Sequence, residues 1–170
     1  AVTPEYSVQI LAQYRKSESR QWQKTSAQLT PERWFSTASV AKLPMALLAC
    51  EEIAAQGLGL DATIGFTEPP IGGEWPADEP AFETLERSLN RIFTVSENPP
   101  FNRLYDFLGV DAMQSRLQAL GYPDARLISR MSAPVHDNAR TRAGQVRGSD
   151  GAVVFEFPER IGTLKPFPFG

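Results

Sequence analysis

The longest apolar stretch of the chain covers residues 40–55, and its only charged residues are Lys42, Glu51 and Glu52. A helix that is apolar on all sides is a buried helix, so the pattern predicts one here. Burying an ammonium group is costly unless the group loses its proton or finds a counter-charge. Lys42 therefore needs a chemical reason for its position.

The two ends of this helix can be predicted from single residues. Pro44 is tolerated only in the first turn of a helix, and Gly57 is a typical residue just after a helix end. The helix is thus expected to begin within a few residues of Ser39. That position lies at the positive end of the helix dipole, where free N–H groups can stabilise an anion.

The N-terminal part alternates between apolar and polar residues. Residues 6–12 predict one strand and residues 21–27 a weaker second strand, with a polar turn over residues 15–20. We expect an antiparallel hairpin, followed by a loop that leads to the buried helix.

Three helices are predicted after the buried one. Residues 61–80 are rich in proline and glycine and predict a surface loop. Helical spacing then favours a helix over residues 81–94, a second helix that ends at Gly109, and a third that Asp111 caps and Gly121 ends.

The last part of the chain is less regular. Residues 126–130 predict a short extended or helical segment, residues 131–151 a long polar loop, and residues 152–157 a strand. The tail after residue 157 receives no assignment. Arg140, Arg142 and Arg147 are interpreted most simply as a solvated loop face, with carboxylate binding as the alternative.

Composition and charge exclude several classes of function. The net charge of −3 argues against a nucleic-acid partner, and no apolar run reaches the length needed to span a bilayer. The N-terminus carries no basic and apolar leader, as is also true of a mature chain that has lost one. With one cysteine, Cys50, and one histidine, His136, we expect no internal disulfide, no metal and no cofactor. Cys50 is expected to be a core residue.

Ser39 and Lys42 lie three residues apart and therefore share one helical face. This arrangement suggests a nucleophile and its base. The alternatives are a plain helix N-cap for Ser39 and a lysine that reaches solvent from the first turn for Lys42. A triad with His136 is a further alternative.

Two motifs in sequence order carry a resemblance to a known family. Ser39-Val40-Ala41-Lys42 at the start of an apolar helix, followed by Ser96-Glu97-Asn98 before a second helix, resembles the class A serine β-lactamases and their penicillin-binding relatives. The similarity covers roughly residues 5–130. It implies an α/β (α+β) fold of the β-lactamase/transpeptidase type, with a helical subdomain packed on a small antiparallel sheet.

The resemblance also implies a role for each motif residue. Ser39 would attack the substrate carbonyl and become acylated, and Lys42 would activate it. Ser96 would pass a proton towards the leaving nitrogen, while Asn98 would hold a substrate amide and orient the lysine. The alternative is that Ser96 and Asn98 are ordinary loop and cap residues before a helix that starts at Pro99-Pro100. Glu97 replaces the usual aspartate and keeps its charge.

Two departures from the family pattern bear on activity. The third family motif, Lys-Thr-Gly on a late strand, has no match after Asn98, and Lys24-Thr25-Ser26 lies in the predicted N-terminal hairpin. The family fold also continues with further strands and a helix, so the chain is expected to be a fragment, to be completed by a second chain, or to have degenerated.

The other departure concerns deacylation. Class A enzymes carry a Glu-x-x-Leu-Asn motif in the loop after Arg130, and its glutamate activates the deacylating water. Here residues 131–138 contain no glutamate, so rapid turnover by that route is not expected. His136 or Asp137 as a substitute is the less favoured alternative to a solvated loop residue.

These observations predict a serine hydrolase of the β-lactamase type. The alternatives are a slowly deacylating penicillin-binding or peptidase-like protein and a non-catalytic binding module. The expected partner is a β-lactam or cell-wall peptide, and the family implies a periplasmic or secreted location. The sequence suggests three parts: residues 1–60 with the hairpin and nucleophile helix, residues 61–150 with the helical subdomain and a long loop, and residues 151–170 as the start of a C-terminal sheet region or as a tail.

Overall fold

The structure is a computed structural model that describes residues 10–15, 21–28, 37–71, 79–132 and 137–163. The chain forms two units, Ala1–Thr37 and Ala38–Gly170. The three-part division from the sequence remains a prediction. Several other expectations concern residues outside the described ranges. They are the start of the first strand at residues 6–9, the polar turn at residues 16–20, the loop before the apolar helix at residues 31–36, residues 72–78 of the loop predicted over residues 61–80, His136, and the tail from residue 164.

The first unit contains the expected hairpin. Strand β1 (Ile10–Tyr14) pairs antiparallel with strand β2 (Gln23–Ala27), with Ile10 opposite Ala27. Lys24, Thr25 and Ser26 lie in β2, as the sequence predicted.

The predicted apolar helix is present in the second unit. A single 3₁₀ turn, Ala38–Ala41, leads directly into helix α1 (Lys42–Ala55), and Gly57 follows with a φ of +72°. One face of α1 is buried against the other helices, whereas Val40, Leu43 and Leu47 are exposed. The expectation of a helix buried on all sides is therefore wrong for the face that carries these exposed residues.

A four-stranded antiparallel sheet has the strand order β4-β3-β6-β7. Its strands are β3 (Thr63–Gly65), β4 (Phe82–Thr84), β6 (Gly144–Arg147) and β7 (Val153–Phe157). The strand predicted over residues 152–157 is confirmed by β7. The loops predicted over residues 61–80 and 131–151 are wrong where β3 and β6 lie, because strands of three or four residues are too short to show an alternating pattern.

Two shorter strands, β5 (Arg140–Thr141) and β8 (Arg160–Ile161), pair antiparallel. Strand β8 lies in the segment that received no assignment. Residues 126–130 have no regular secondary structure, so neither a helix nor a strand forms there.

The three predicted helices are confirmed as α2 (Leu85–Val95), α3 (Asn98–Leu108) and α4 (Val110–Ala119). Helix α2 begins later than residue 81 because β4 occupies residues 82–84, and the Thr84 hydroxyl caps α2 by accepting from the Arg87 N–H at 3.2 Å. Asp111 does not cap α4: the N-cap residue is Gly109, and the Asp111 carboxylate accepts instead from Thr163.

The core lies where α1, α2 and α3 meet the four-stranded sheet. Residues from each of these elements are less than one-tenth exposed. They include Met45, Ile53, Ile64, Leu85, Phe101, Leu104, Tyr105 and Val146. The architecture is therefore a mixed α/β one with small antiparallel sheets, as the sequence predicted.

A buried ion cluster corrects the interpretation of one of the three arginines, Arg142. The carboxylate of Asp106 on α3 binds the guanidinium groups of both Arg130 and Arg142, the latter at 2.7 Å. Arg142 is only 6% exposed and stacks 3.9 Å from the ring centroid of Phe66. Arg142 is therefore not on a solvated face. The sequence could not predict this, because it does not indicate that a carboxylate on α3 faces this loop.

Among the described residues, no helix is both long and apolar enough to cross a bilayer.

Candidate active site

The structure excludes the two structural alternatives, which were a helix N-cap for Ser39 and a lysine that reaches solvent for Lys42. The N-cap residue of α1 is Ala41, which makes no side-chain capping bond, so Ser39 is not the cap. Lys42 is only 3% exposed and therefore does not reach solvent from the first turn. Ser39 itself is exposed, so an accessible hydroxyl lies one helical turn from a buried amine.

Lys42 points towards the turn between α2 and α3. Its Nζ donates to the backbone carbonyl of Ser96, to the Ser96 Oγ at 3.0 Å and to the Asn98 Oδ1 at 2.8 Å. These contacts join residues more than 50 positions apart in the sequence, which brings the two motifs into one site.

The Ser96 hydroxyl connects the amine to the candidate nucleophile. Its Oγ donates to the Ser39 Oγ at 3.2 Å while it accepts from Lys42 Nζ. Hydroxyl groups can rotate and reverse the direction of their hydrogen bonds. A proton can therefore move between Ser39 and Lys42 by way of Ser96.

Burial lowers the pKa of Lys42 from its ordinary value. All three of its acceptors are neutral, and among the described residues no carboxylate forms an ion pair with it. Low-dielectric surroundings without a counter-charge disfavour the ammonium form. The lowered pKa makes loss of the proton easier, whereas the three donated hydrogen bonds correspond to the ammonium form, since only that form carries three N–H groups.

Ser96 and Asn98 occupy the ends of two consecutive helices. Ser96 follows α2 as its C-cap with a φ of +58°, and Asn98 is the first residue of α3. The N-cap of α3 is Glu97, so Asn98 does not serve as a cap. The side chains of Ser96 and Asn98 are directed to Lys42 instead.

A fifth residue, Ser132, joins the site and was not singled out from the sequence. The Asn98 Nδ2 donates to the Ser132 Oγ at 2.8 Å. The preceding residue, Met131, is held by Asn102, whose side chain both accepts from the Met131 N–H at 2.8 Å and donates to its carbonyl at 2.9 Å. No motif marks Ser132, because its position depends on how the loop folds back on α3.

Three non-glycine residues in or next to the site adopt positive φ angles: Ala38 at 46°, Ser96 at 58° and Ser132 at 55°. Side chains other than glycine rarely occupy this region, and such strain is often found at functional sites. Each of these residues either belongs to the hydrogen-bonded group or immediately precedes Ser39.

The two loop residues considered for deacylation have different outcomes. Asp137 contributes its backbone carbonyl to Arg130 Nη1 at 3.0 Å, while His136 lies outside the described residues. A role for either residue in deacylation remains an untested and less favoured expectation.

Among curated proteins, none matches this chain. The model of the Beta-lactamase enzyme family matches residues 7–153, a range that includes all five residues of the site. This match covers most of the chain and agrees with its mixed α/β architecture. The chain belongs to the Beta-lactamase enzyme family.

Proposed function

We propose that this chain is a serine hydrolase that forms an acyl-enzyme at Ser39 with β-lactams or related amides. The observation that carries the proposal is the continuous hydrogen-bonded line from the exposed Ser39 through Ser96 to the buried Lys42. A serine hydroxyl is a weak nucleophile at neutral pH and needs such a positioned base.

In the acylation step, the Ser39 Oγ attacks the carbonyl carbon of the amide. The Ser39 proton moves to the Ser96 Oγ as the Ser96 proton moves to the neutral Lys42 Nζ. The carbonyl oxygen becomes an oxyanion. The N–H of Ser39 would be a donor to it, because the first N–H groups of a helical turn have no partner within the turn.

Collapse of this intermediate breaks the bond between the carbonyl carbon and the amide nitrogen. The same relay then runs in reverse: Ser96 gives its proton to the leaving nitrogen and recovers one from Lys42. In a β-lactam the nitrogen stays attached through the opened ring. The acyl-enzyme therefore gains the full mass of the β-lactam.

Asn98 is the proposed substrate-binding residue. Its Oδ1 holds Lys42 at 2.8 Å and its Nδ2 donates to Ser132 at 2.8 Å, so its orientation is fixed from two sides. In the proposed complex, an amide group of the substrate replaces or joins the Ser132 contact at Nδ2.

A second candidate is a penicillin-binding or peptidase-like protein that deacylates slowly. It is favoured by the Ser132 hydroxyl, which lies against Asn98 in the loop where class A enzymes carry their glutamate. A hydroxyl is a far weaker base than a carboxylate for activating water. Because residues 131–138 contain no glutamate, the acyl-enzyme is expected to be long-lived.

The remaining candidate is a binding module without catalysis, which the lack of a Lys-Thr-Gly match after Asn98 favours. Its ligand would be a β-lactam or cell-wall peptide. For each candidate we propose a periplasmic or secreted location. We also propose that a further segment or a second chain completes the site.

Incubation with a penicillin followed by intact-mass measurement tests these candidates. A stable adduct of one penicillin mass supports slow acyl-enzyme chemistry, and rapid loss of penicillin without an adduct supports a lactamase. Ser39→Ala should abolish either result. Ser115→Ala, on the exposed face of α4, is the matched control and should behave as the wild type.

Absence of both the adduct and penicillin turnover in the folded wild-type chain would overturn the enzyme proposals. Penicillin binding measured by calorimetry would then decide for or against the binding module.

A further inference from the structure

The turn that carries Ser96 and Asn98 is held from behind by an ion cluster. The residue between them, Glu97, directs its carboxylate to Arg91 on α2, with 2.8 Å between Arg91 Nε and the Glu97 Oε2. The backbone N–H of Glu97 donates to the Arg91 carbonyl at 3.3 Å. Side chain and backbone of Glu97 are thus both tied to one residue.

Arg91 is itself fixed by two further carboxylates. Its Nη1 donates to Glu83 Oε1 at 2.8 Å and its Nη2 to Glu79 Oε2 at 2.7 Å. Burial opposes its charge, but hydrogen bonds to Glu79, Glu97 and Glu83 raise the pKa of Arg91 above its ordinary value. All edges of its guanidinium group are therefore in use.

The cluster extends from Arg91 to the core of the second unit. Glu79 also binds Arg103 at 3.0 Å, and Arg103 is only 2% exposed. Arg103 donates further to the backbone carbonyls of Ile64 in β3 and Ala81, each at 3.1 Å. The 96–98 turn is consequently connected through Arg91 to the sheet and to α3.

We propose that the Arg91–Glu97 ion pair is a positioning device that sets the geometry of Ser96 and Asn98 around Lys42. The proposal rests on the proposed acyl-enzyme function of that site. Two of the three Lys42 acceptors belong to Ser96 and the third to Asn98, one on each side of Glu97. A shift of Glu97 therefore moves every group that holds the amine.

The positive φ of Ser96 strengthens this argument. A serine at a φ of +58° is conformationally unfavourable, so surrounding contacts must hold it there. The ion pair supplies such a contact one residue further along the chain. Without the ion pair the 96–98 turn is expected to relax. The hydrogen bonds of Ser96 to Ser39 and to Lys42 would then lengthen.

Glu97→Gln tests the proposal because it removes one charge and leaves the Arg91 contacts to Glu79 and Glu83 intact. The rate constant of penicillin acylation is expected to fall about tenfold or more, since misplacement by 1 Å can cost about a hundredfold. Glu97→Asp, which keeps the charge, should recover most of the loss.

Glu86→Gln is the matched control, since it makes the same chemical change on an exposed part of α2. It should leave the acylation rate unchanged. Combined with Asn98→Ala, Glu97→Gln should add little further loss, because both act on the same group of contacts. An unchanged rate in Glu97→Gln, or a loss that simply adds to that of Asn98→Ala, would overturn the positioning role.

An NMR measurement separates failure of this proposal from failure of the proposed function. The chain has four lysines, so the Lys42 side-chain carbon resonance can be assigned by its absence in Lys42→Arg. We expect Glu97→Gln to shift that resonance and Glu86→Gln to leave it in place. If the wild type forms no acyl-enzyme, the acylation proposal fails, and an unmoved Lys42 resonance in Glu97→Gln would then overturn the positioning role independently.

Discussion

The chemistry of Lys42 depends on its surroundings more than on its identity. An exposed lysine is charged at neutral pH and cannot accept a proton. Here burial lowers the pKa, and the contacts come from two neutral side chains and one carbonyl. Since the described residues supply no counter-charge, burial favours loss of the proton, as the proposed role of base requires.

This environment leads to a prediction for pH dependence. In the proposed mechanism the neutral form of Lys42 accepts the proton, so the acylation rate should rise with pH and level off above the Lys42 pKa. As burial lowers that pKa, the midpoint should lie below the ordinary lysine value of 10.5. Rapid-mixing acylation assays with a penicillin from pH 5 to about pH 10 measure it.

Lys42→Arg is the matched variant for this prediction. It keeps a positive charge and hydrogen-bond donors but cannot lose its proton. We expect a loss of about 10²–10⁴ in rate and no inflection with pH. A wild-type profile that stays flat over the whole range would contradict the role of Lys42 as the base.

At the residue scale, the sequence predicted which side chains meet. Ser39, Lys42, Ser96 and Asn98 were selected by motif, and the structure brings all four together, although their roles remain proposals. Ser132 could not be predicted, because it contacts Asn98 from 34 positions away without a motif of its own.

At the scale of elements, the packing of the Phe82 ring of β4 over β3 depends on a glycine. A Cβ built on Gly65 would lie 1.8 Å from the Phe82 ring, its cross-strand neighbour. Gly65→Ala is therefore expected to lower the free energy of unfolding by about 1–3 kcal/mol. Urea denaturation followed by circular dichroism measures the change.

Phe82→Ala provides the background that tests the cause. With the ring removed, the added methyl group has room, so Gly65→Ala should cost clearly less in Phe82→Ala than in the wild type. Equal costs in both backgrounds would show that the ring is not responsible.

The elements also show where sequence patterns fail. Helices α1 to α4 each contain ten or more residues, long enough for helical spacing to be recognised. Strands β3, β5 and β6 have two to four residues, and their pairing depends on partners far away in the chain. Such strands are stabilised by tertiary contacts that local patterns do not contain.

At the scale of the whole molecule, Asp106 connects distant parts of the second unit. Its carboxylate lies between Arg130 and Arg142. Neutralising this carboxylate leaves both guanidinium groups without their shared counter-ion. Asp106→Asn is expected to lower the free energy of unfolding by about 3–5 kcal/mol. Thermal and urea unfolding of the purified variant check this.

The surface pair Arg140–Glu159 gives the matched comparison, because both side chains are nearly half exposed. Glu159→Gln should hardly change stability, since exposed ion pairs contribute little. If Asp106→Asn proved as mild as Glu159→Gln, the buried cluster would not be a major source of stability. The sequence could not distinguish the exposed Arg140 from the buried Arg142, because both lie in the same polar stretch.

The neutral contacts of Lys42 also determine how the reaction responds to ionic strength. Dissolved salt screens charges that attract each other across water, but a buried amine held by a hydroxyl, an amide and a carbonyl offers no such pair to screen. The acylation rate at saturating penicillin is therefore expected to stay constant when sodium chloride is raised to about 0.5 M. A marked fall in this rate would mean that a charged group outside these contacts takes part in the step. A constant rate would mean that the reaction proceeds equally well in dilute and in saline solution.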